Sequence, residues 1–254
     1  MNTKLWLAGA LLALAAPADA QLSLDARYSR QQSDNWTYTI EDLQTEQNAV
    51  FQGGYAIGLG YDLPLLKKHP TVLALRLGYT ALGHERPHPA SGKTMQFSLD
   101  GISVEAFVKS YVFDRQNRGA CAPGLKNGGF FNKGFYIAAG GGYRSFRTQV
   151  EVEAFNPIIS QYQKTKQTRE EPAWGLSFET GLDIGLGRSI AVTPVLGLAW
   201  TPGITAIDFF VPARGVASES IFLAPNENKT VSALAWNAGL SVRWYFNGKK
   251  CGEG

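Results

Sequence analysis

The stretch Trp236-Asn237-Ala238-Gly239-Leu240-Ser241-Val242-Arg243-Trp244-Tyr245-Phe246 decides the fold. Taken every second residue, Trp236, Ala238, Leu240, Val242, Trp244 and Phe246 are all apolar. The residues between them, Asn237, Gly239, Ser241, Arg243 and Tyr245, are small, polar or charged. Side chains of a β-strand point to opposite faces in turn. A helix would need its apolar residues three and four apart, and here they are two apart.

The same alternation recurs upstream. Ile190, Val192, Pro194, Leu196, Leu198 and Trp200 oppose Ala191, Thr193, Gly197, Ala199 and Thr201. Trp174, Leu176, Phe178, Leu182, Ile184 and Leu186 oppose Gly175, Ser177, Glu179, Gly181, Asp183 and Gly185. Shorter runs repeat it around Leu22–Tyr28, Tyr55–Tyr61 and Leu73–Tyr79. Ile102–Val112 carries Glu105 and Lys109 on its second face, and Phe135–Tyr143 alternates around Gly140-Gly141-Gly142. Eight segments result, about 21–31, 50–63, 71–84, 95–113, 133–151, 172–187, 189–202 and 230–247. Turns at 64–70 and 187–189 are short, whereas 32–49, 85–94, 152–171 and 203–229 are long. The connection 114–132 is long where a short one is expected. Neither a repeat nor a linker divides the chain, so one up-and-down antiparallel domain is the economical reading.

The N-terminus supplies the compartment. Lys4 precedes an apolar run from Leu5 to Ala16, Pro17 breaks it, and Ala18-Asp19-Ala20 follows. These are the three parts of a secretory signal peptide, with cleavage expected before Gln21. The run is too short for a membrane span of about 20 residues. The expected division is therefore a signal peptide at 1–20, a barrel domain at 21–247 and a short periplasmic tail at 248–254. Only 18% of the 254 residues are charged, against about 25% in an average chain, and the net charge is +3. That excludes a disordered chain and gives no footprint for nucleic acid. Two cysteines and three histidines leave no four-thiolate metal site, and no cofactor motif is present.

The apolar faces are expected to meet lipid. The second faces carry Asp25, Arg27, Arg76, Glu105, Lys109, Glu179, Asp183 and Arg243, with Arg144 added, a nearly balanced set suited to the narrow lumen of an eight-strand barrel. Outer-membrane barrels have this inverted order, apolar outside and polar inside. With residue 21 starting in the periplasm, Tyr28, Tyr55, Tyr79, Tyr143, Trp174, Trp200 and Trp236 fall at the outer ends of their strands. Tyr61, Phe135, Trp244 and Phe246 fall at the inner ends. Two aromatic belts are expected where rings sit at the headgroups. The ten steps from Trp236 to Phe246, at about 3.3 Å each and a tilt near 40°, cover about 25 Å, the height of the apolar band. A soluble sandwich or lipocalin-like barrel shares the alternation, but not the conjunction of belts, alternating loop lengths and a charged second face.

On these residues the chain resembles the small eight-stranded outer-membrane proteins of Gram-negative bacteria, the OmpA-type transmembrane domain and its relatives. The resemblance is one of pattern over nearly all of 21–247. It implies an integral outer-membrane barrel, with both termini periplasmic, that is monomeric and sits among outer-membrane lipids and lipopolysaccharide. It also implies that the segment Ala238–Phe246 is read by the barrel-insertion machinery, although eight residues, Asn247–Gly254, follow the final aromatic. Relatives include anchors, adhesins, pores and lipid-modifying enzymes, so activity must come from particular residues.

Few residues carry chemistry. His84, Glu85 and Ser91 can be drawn as a triad, but adjacent strand residues point apart, and no His-x-Ser pairing marks a lipid A hydrolase. His69 lies in a turn beside Lys67 and Lys68, and His88 lies near the mouth. The glycine run lacks Gly-Lys-Ser/Thr, so it reads as relief of crowding in the lumen. Cys121 and Cys251 share the periplasmic side of this topology, where an oxidising compartment permits a disulfide pinning the tail to the 114–132 connection. Loop 203–229 is unusually apolar, with Ile204, Ile207, Phe209, Phe210, Val211, Ile221, Phe222 and Leu223. It suits packing across the mouth, extra strand above the membrane, or contact with lipid or a partner. The expected role is non-enzymatic: a structural or surface-interaction protein that meets an extracellular ligand through its loops. The alternatives are a narrow pore for small solutes and a lipid A-modifying hydrolase using His84 or His88.

Overall fold

A computed structural model of the chain describes residues 21–32, 36–40, 53–65, 71–87, 94–112, 134–156, 161–186, 189–211 and 222–245. Phe246, both cysteines, His69, His88, Ser91, the expected signal peptide and the tail lie outside these residues. Every described element is a strand: β1 (Gln21–Gln32), β2 (Trp36–Ile40), β3 (Gly53–Pro64), β4 (Thr71–Pro87), β5 (Thr94–Tyr111), β6 (Phe135–Asn156), β7 (Gln161–Leu182), β8 (Ile184–Gly185), β9 (Ile190–Val211) and β10 (Phe222–Tyr245). Antiparallel pairing runs β1–β3–β4–β5–β6–β7–β9–β10 and returns to β1 through Gln21↔Tyr245. The sheet is closed. β8 continues β7 after a break at Asp183, so eight barrel strands remain, with β2 added in parallel to the outer part of β9.

Closure removes the sheet edge, the one arrangement by which strands satisfy their backbone in hydrocarbon. The side chains agree with that solvent. Leu24, Ile57, Leu59, Ile102, Val104, Leu176, Phe178, Leu196 and Leu240 are all exposed on the outer wall. Residues of the opposite parity, including Asp25, Glu179, Thr193, Ser241 and Arg243, are buried inside. Exposed leucine outside and buried arginine inside is the order of a membrane barrel. The protein is an all-β, single-barrel integral membrane protein of the outer-membrane type.

The strands run farther than expected at the end away from the termini. Segments expected as loops, 152–171 and 203–229, are largely strand: β6 and β7 pair as far as Asn156↔Gln161, and β9 and β10 as far as Phe222↔Phe210. The reason is visible in β5. Odd residues face inward along its whole length. From Gly101 onward the outward residues are Ile102, Val104, Ala106 and Val108. Before Gly101 the outward residues are Gln96, Ser98 and Asp100, while Met95, Phe97 and Leu99 are buried inside. β6 makes the same exchange after Tyr143: Arg147 turns outward and Val150 is buried. The facing direction never changes; the polarity does. One half of the barrel is built for lipid and the other for water, with its own apolar core from Leu82, Met95, Phe97, Leu99 and Val150. A search for outward apolar residues therefore stops near the membrane and misreads the farther parts of this extension, in 152–171 and 203–229, as loop. Charges on this extension face each other across β6 and β7, with Arg147 opposite Glu170 and Glu151 opposite Lys166.

Candidate functional site

The candidate site is the lumen, because the strand alternation drives nearly all the buried charge into it. The nine charged residues singled out from the sequence all lie on inner faces and fall into three sets.

The first set surrounds Glu179 of β7. Its carboxylate accepts from Arg27 Nη1 at 2.7 Å, Arg76 Nη1 at 2.6 Å, Arg76 Nη2 at 3.2 Å and the Tyr136 hydroxyl at 2.7 Å. Asp25 lies 2.8 Å from Arg76 Nε and 3.5 Å from Arg27 Nη2. Arg76 stands directly across from Glu105 in the β4–β5 ladder, yet both its ion pairs reach over the lumen to other strands. The second set joins Arg144 to Glu105, Ser177 and Thr201. Ser177 also donates to Glu105 at 2.8 Å.

The third set lies nearer the termini. Arg243 Nη1 donates to Asp183 at 3.0 Å and to the Tyr111 hydroxyl at 3.2 Å, while its Nη2 donates to the Tyr136 hydroxyl at 3.0 Å. Asp183 further accepts from Tyr111 at 2.8 Å and Thr193 at 2.6 Å, and Lys109 pairs with Asp62. Arg243 and Lys109 each lie about 5 Å from the Tyr136 ring centroid, within cation–π range. Tyr136 also connects this set to the first, since its hydroxyl donates to Glu179 while accepting from Arg243. Arg243 is 1% exposed, and Tyr111, Tyr136 and Tyr245 are buried around it. Gly181 makes room for this layer: a Cβ there would stand 2.7 Å from the Tyr136 ring.

Asp62, Tyr111 and Tyr136 were not among the residues singled out. Their signal was parity: Asp62 continues the inward series Gly54, Ala56, Gly58 and Gly60, and Tyr111 continues Glu105 and Lys109. Asp62 also settles the charge count. Between the termini and Gly101 the inward cations Arg27, Arg76, Lys109, Arg144 and Arg243 are matched by Asp25, Asp62, Glu105, Glu179 and Asp183, and farther out Arg169 and Glu171 also face inward.

The first two sets, together with apolar residues such as Phe107, Phe146 and Leu198, line a luminal cavity of about 90 Å³. In the glycine run, a Cβ on Gly142 would run into the β5 backbone at Val104 and Glu105, so that position serves close strand approach.

On the outer wall, Tyr28, Tyr55, Tyr79, Tyr143, Trp174, Trp200 and Trp236 are all exposed, Trp174 most of all at 70%. Tyr28 is cross-strand from Tyr55, and Tyr143 from Trp174 with ring centroids 5.7 Å apart. Tyr61, Phe135 and Trp244 lie partly exposed toward the other end. His84 is cross-strand from Phe97 on the inner face, whereas Glu85 and Ser98 face outward, which keeps the histidine from forming a triad with either. Among the described residues, no group of three or more His, Cys, Asp and Glu could hold a metal ion.

No family model and no curated protein matches the chain. Solved structures do. The chain is similar to Neisserial surface protein A (10% identity, TM-score 0.43, covering 89% of this chain and 97% of that one). It is also similar to OprG from Pseudomonas aeruginosa (11%, TM-score 0.41, 89% and 96%) and to Ail of Yersinia pestis (9%, TM-score 0.37, 88% and 97%). The barrel assignment rests on the ladder and the wall polarity described above.

Proposed function

We propose that the protein is a closed pedestal in the outer membrane, monomeric and with periplasmic termini, whose water-facing extension and loops meet a ligand or surface outside the cell. The observation that carries this reading is the layer of Arg243, Asp183, Tyr111, Tyr136 and Tyr245. It fills the lumen cross-section near the termini with mutually bonded, buried side chains. A steady solute path would have to break a charge-assisted network, and such bonds are among the strongest in proteins. The tall extension, with its own apolar core, is material that membrane anchoring alone does not require. Basic residues there would meet lipopolysaccharide phosphates, and the terminal aromatic segment of β10 would engage the insertion machinery.

Two measurements test the proposal. Purified barrel in planar bilayers is expected to give no steady conductance, whereas steady channels would favour the pore reading. Cells displaying the chain are expected to bind host or lipid surfaces, and to lose that binding when residues 205–229 are replaced by a short Gly/Ser turn. Unchanged binding after that trimming would overturn the loop-mediated role. A changed lipid A mass on expression would instead point to the hydrolase.

A further inference from the structure

The outer wall carries a bare notch just above its lipid-facing half. Gly53 of β3, Gly83 of β4 and Ser98 of β5 stand side by side in the ladder. They face outward, one rung beyond the level of Tyr55 and Asp100. The next rung holds Glu85 opposite Gln96, and the Gln96 amide donates to the Glu85 carboxylate at 3.0 Å. Tyr28 of β1, 58% exposed, reaches in from the side: a Cβ on Gly53 would stand 2.1 Å from its hydroxyl oxygen. Together these residues line one open groove in the wall.

The two glycines differ in what packing asks of them. Gly53 leaves room for the Tyr28 hydroxyl. Gly83 makes room for no neighbour: a Cβ there would find its nearest atom, the Phe97 carbonyl oxygen, at an ordinary 4.0 Å, and its φ is not positive. Glycine inside a strand weakens it, and marks a bulge, a tight bend, or a place where a ligand or another backbone comes close. The β4–β5 register runs from Thr71↔Ser110 to Pro87↔Thr94 without a shift, so no bulge calls for this glycine. The close approach of a ligand accounts for it.

We propose that the notch binds a sugar ring without negative charge, presented from outside the cell. Neighbouring strands lie about 4.8 Å apart, so the floor from the Tyr28 hydroxyl over Gly53 to Ser98 is about 10 Å wide, room for one pyranose ring lying against the Gly83 backbone. Two hydroxyls, one amide and one carboxylate surround this floor, a small number of polar groups placed to fix orientation around a bare surface. A ring with hydroxyls on its rim and C–H groups on its face matches both parts. Among the described residues lining the notch there is no Lys or Arg, so lipopolysaccharide phosphates find no counter-charge in it, and an acidic sugar meets the Glu85 carboxylate. The notch lies on other strands than 205–229. Trimming that segment leaves it in place, so this proposal and the loop-mediated role fail separately.

The test uses the full barrel in phospholipid nanodiscs, titrated with the methyl glycosides of glucose, galactose, mannose and N-acetylglucosamine, and with glucuronate, by saturation-transfer NMR. Saturable binding of at least one neutral glycoside, at least tenfold tighter than glucuronate, is expected. Gly83→Val should weaken that binding at least tenfold, because it fills the floor while its Cβ meets only ordinary contacts and the barrel stays folded. Glu85→Ala should weaken the neutral glycoside and narrow its advantage over glucuronate. If Gly83→Val does not fold, Ser98→Leu fills the notch from the other side and gives the same reading. Saturation by none of the neutral glycosides, equal binding of glucuronate, or full affinity in a folded, filled variant overturns the site.

Discussion

Replacing Glu179 by Gln strikes the point on which most luminal bonds converge. The carboxylate accepts four hydrogen bonds, three from guanidinium groups and one from Tyr136. A glutamine keeps one acceptor oxygen and turns an NH₂ toward donors, so Arg27 and Arg76 lose their shared counter-charge while staying buried. Breaking a buried pair by removing one partner costs about 3–5 kcal/mol. Asp25 remains 2.8 Å from Arg76 and 3.5 Å from Arg27, so the lower part of that range applies, about 3 kcal/mol. With a urea dependence of about 2–3 kcal/mol per molar, the unfolding midpoint should fall by about 1–1.5 M. Tryptophan fluorescence of the barrel in lipid vesicles during urea titration measures this. Glu170→Gln is the control: its pair with Arg147 is more than half exposed and should cost less than about 1 kcal/mol. If E179Q and E170Q unfold at the same urea concentration, the luminal network does not hold the barrel together, and the reasoning fails.

Three further outcomes follow from the same structure. Arg243→Met should destabilise the barrel by about 3–5 kcal/mol, whereas the double change Arg243→Met with Asp183→Leu should recover most of that loss, because a buried pair replaced by packed apolar groups is near neutral; urea midpoints of the three variants decide it. Leu240→Arg, on the lipid-facing wall between Trp236 and Trp244, should cost about 2–4 kcal/mol in vesicles, while Gln96→Arg on the water-facing extension should cost almost nothing. Leu99→Ala, in the core of that extension, should cost about 2–5 kcal/mol if the extension unfolds together with the membrane half, and hydrogen exchange should report loss of protection at both levels.

The barrel was legible in the sequence because lipid enforces a strict period of two, and Trp236–Phe246 displays it without interruption. The nine luminal charges were legible for the same reason: each lies one residue from an apolar neighbour that had to face outward. Other features left weaker traces. Asp62 sits next to Tyr61 at a strand end, where a turn is an equally good reading. Tyr245 already falls on the second face with Arg243, whereas Tyr111 and Tyr136 are aromatics at strand ends whose inward placement follows only from parity. The parts of the water-facing extension in 152–171 and 203–229 carry no sustained outward apolar alternation, so a lipid-facing search reads them as loop, whereas Gln96, Ser98 and Asp100 fall inside the expected strand 95–113.

The exchange of polarity at Gly101 on β5, matched after Tyr143 on β6, acts as a waterline drawn on the hull. Sinking by one residue pair, about 5 Å along the bilayer normal, would submerge the Asp100 carboxylate and the Arg147 guanidinium in hydrocarbon, and rising by as much would lift Ile102 and Val104 into water. Draught is thus set by chemistry alone, and whatever the tall end carries stands at a fixed height above the bilayer surface.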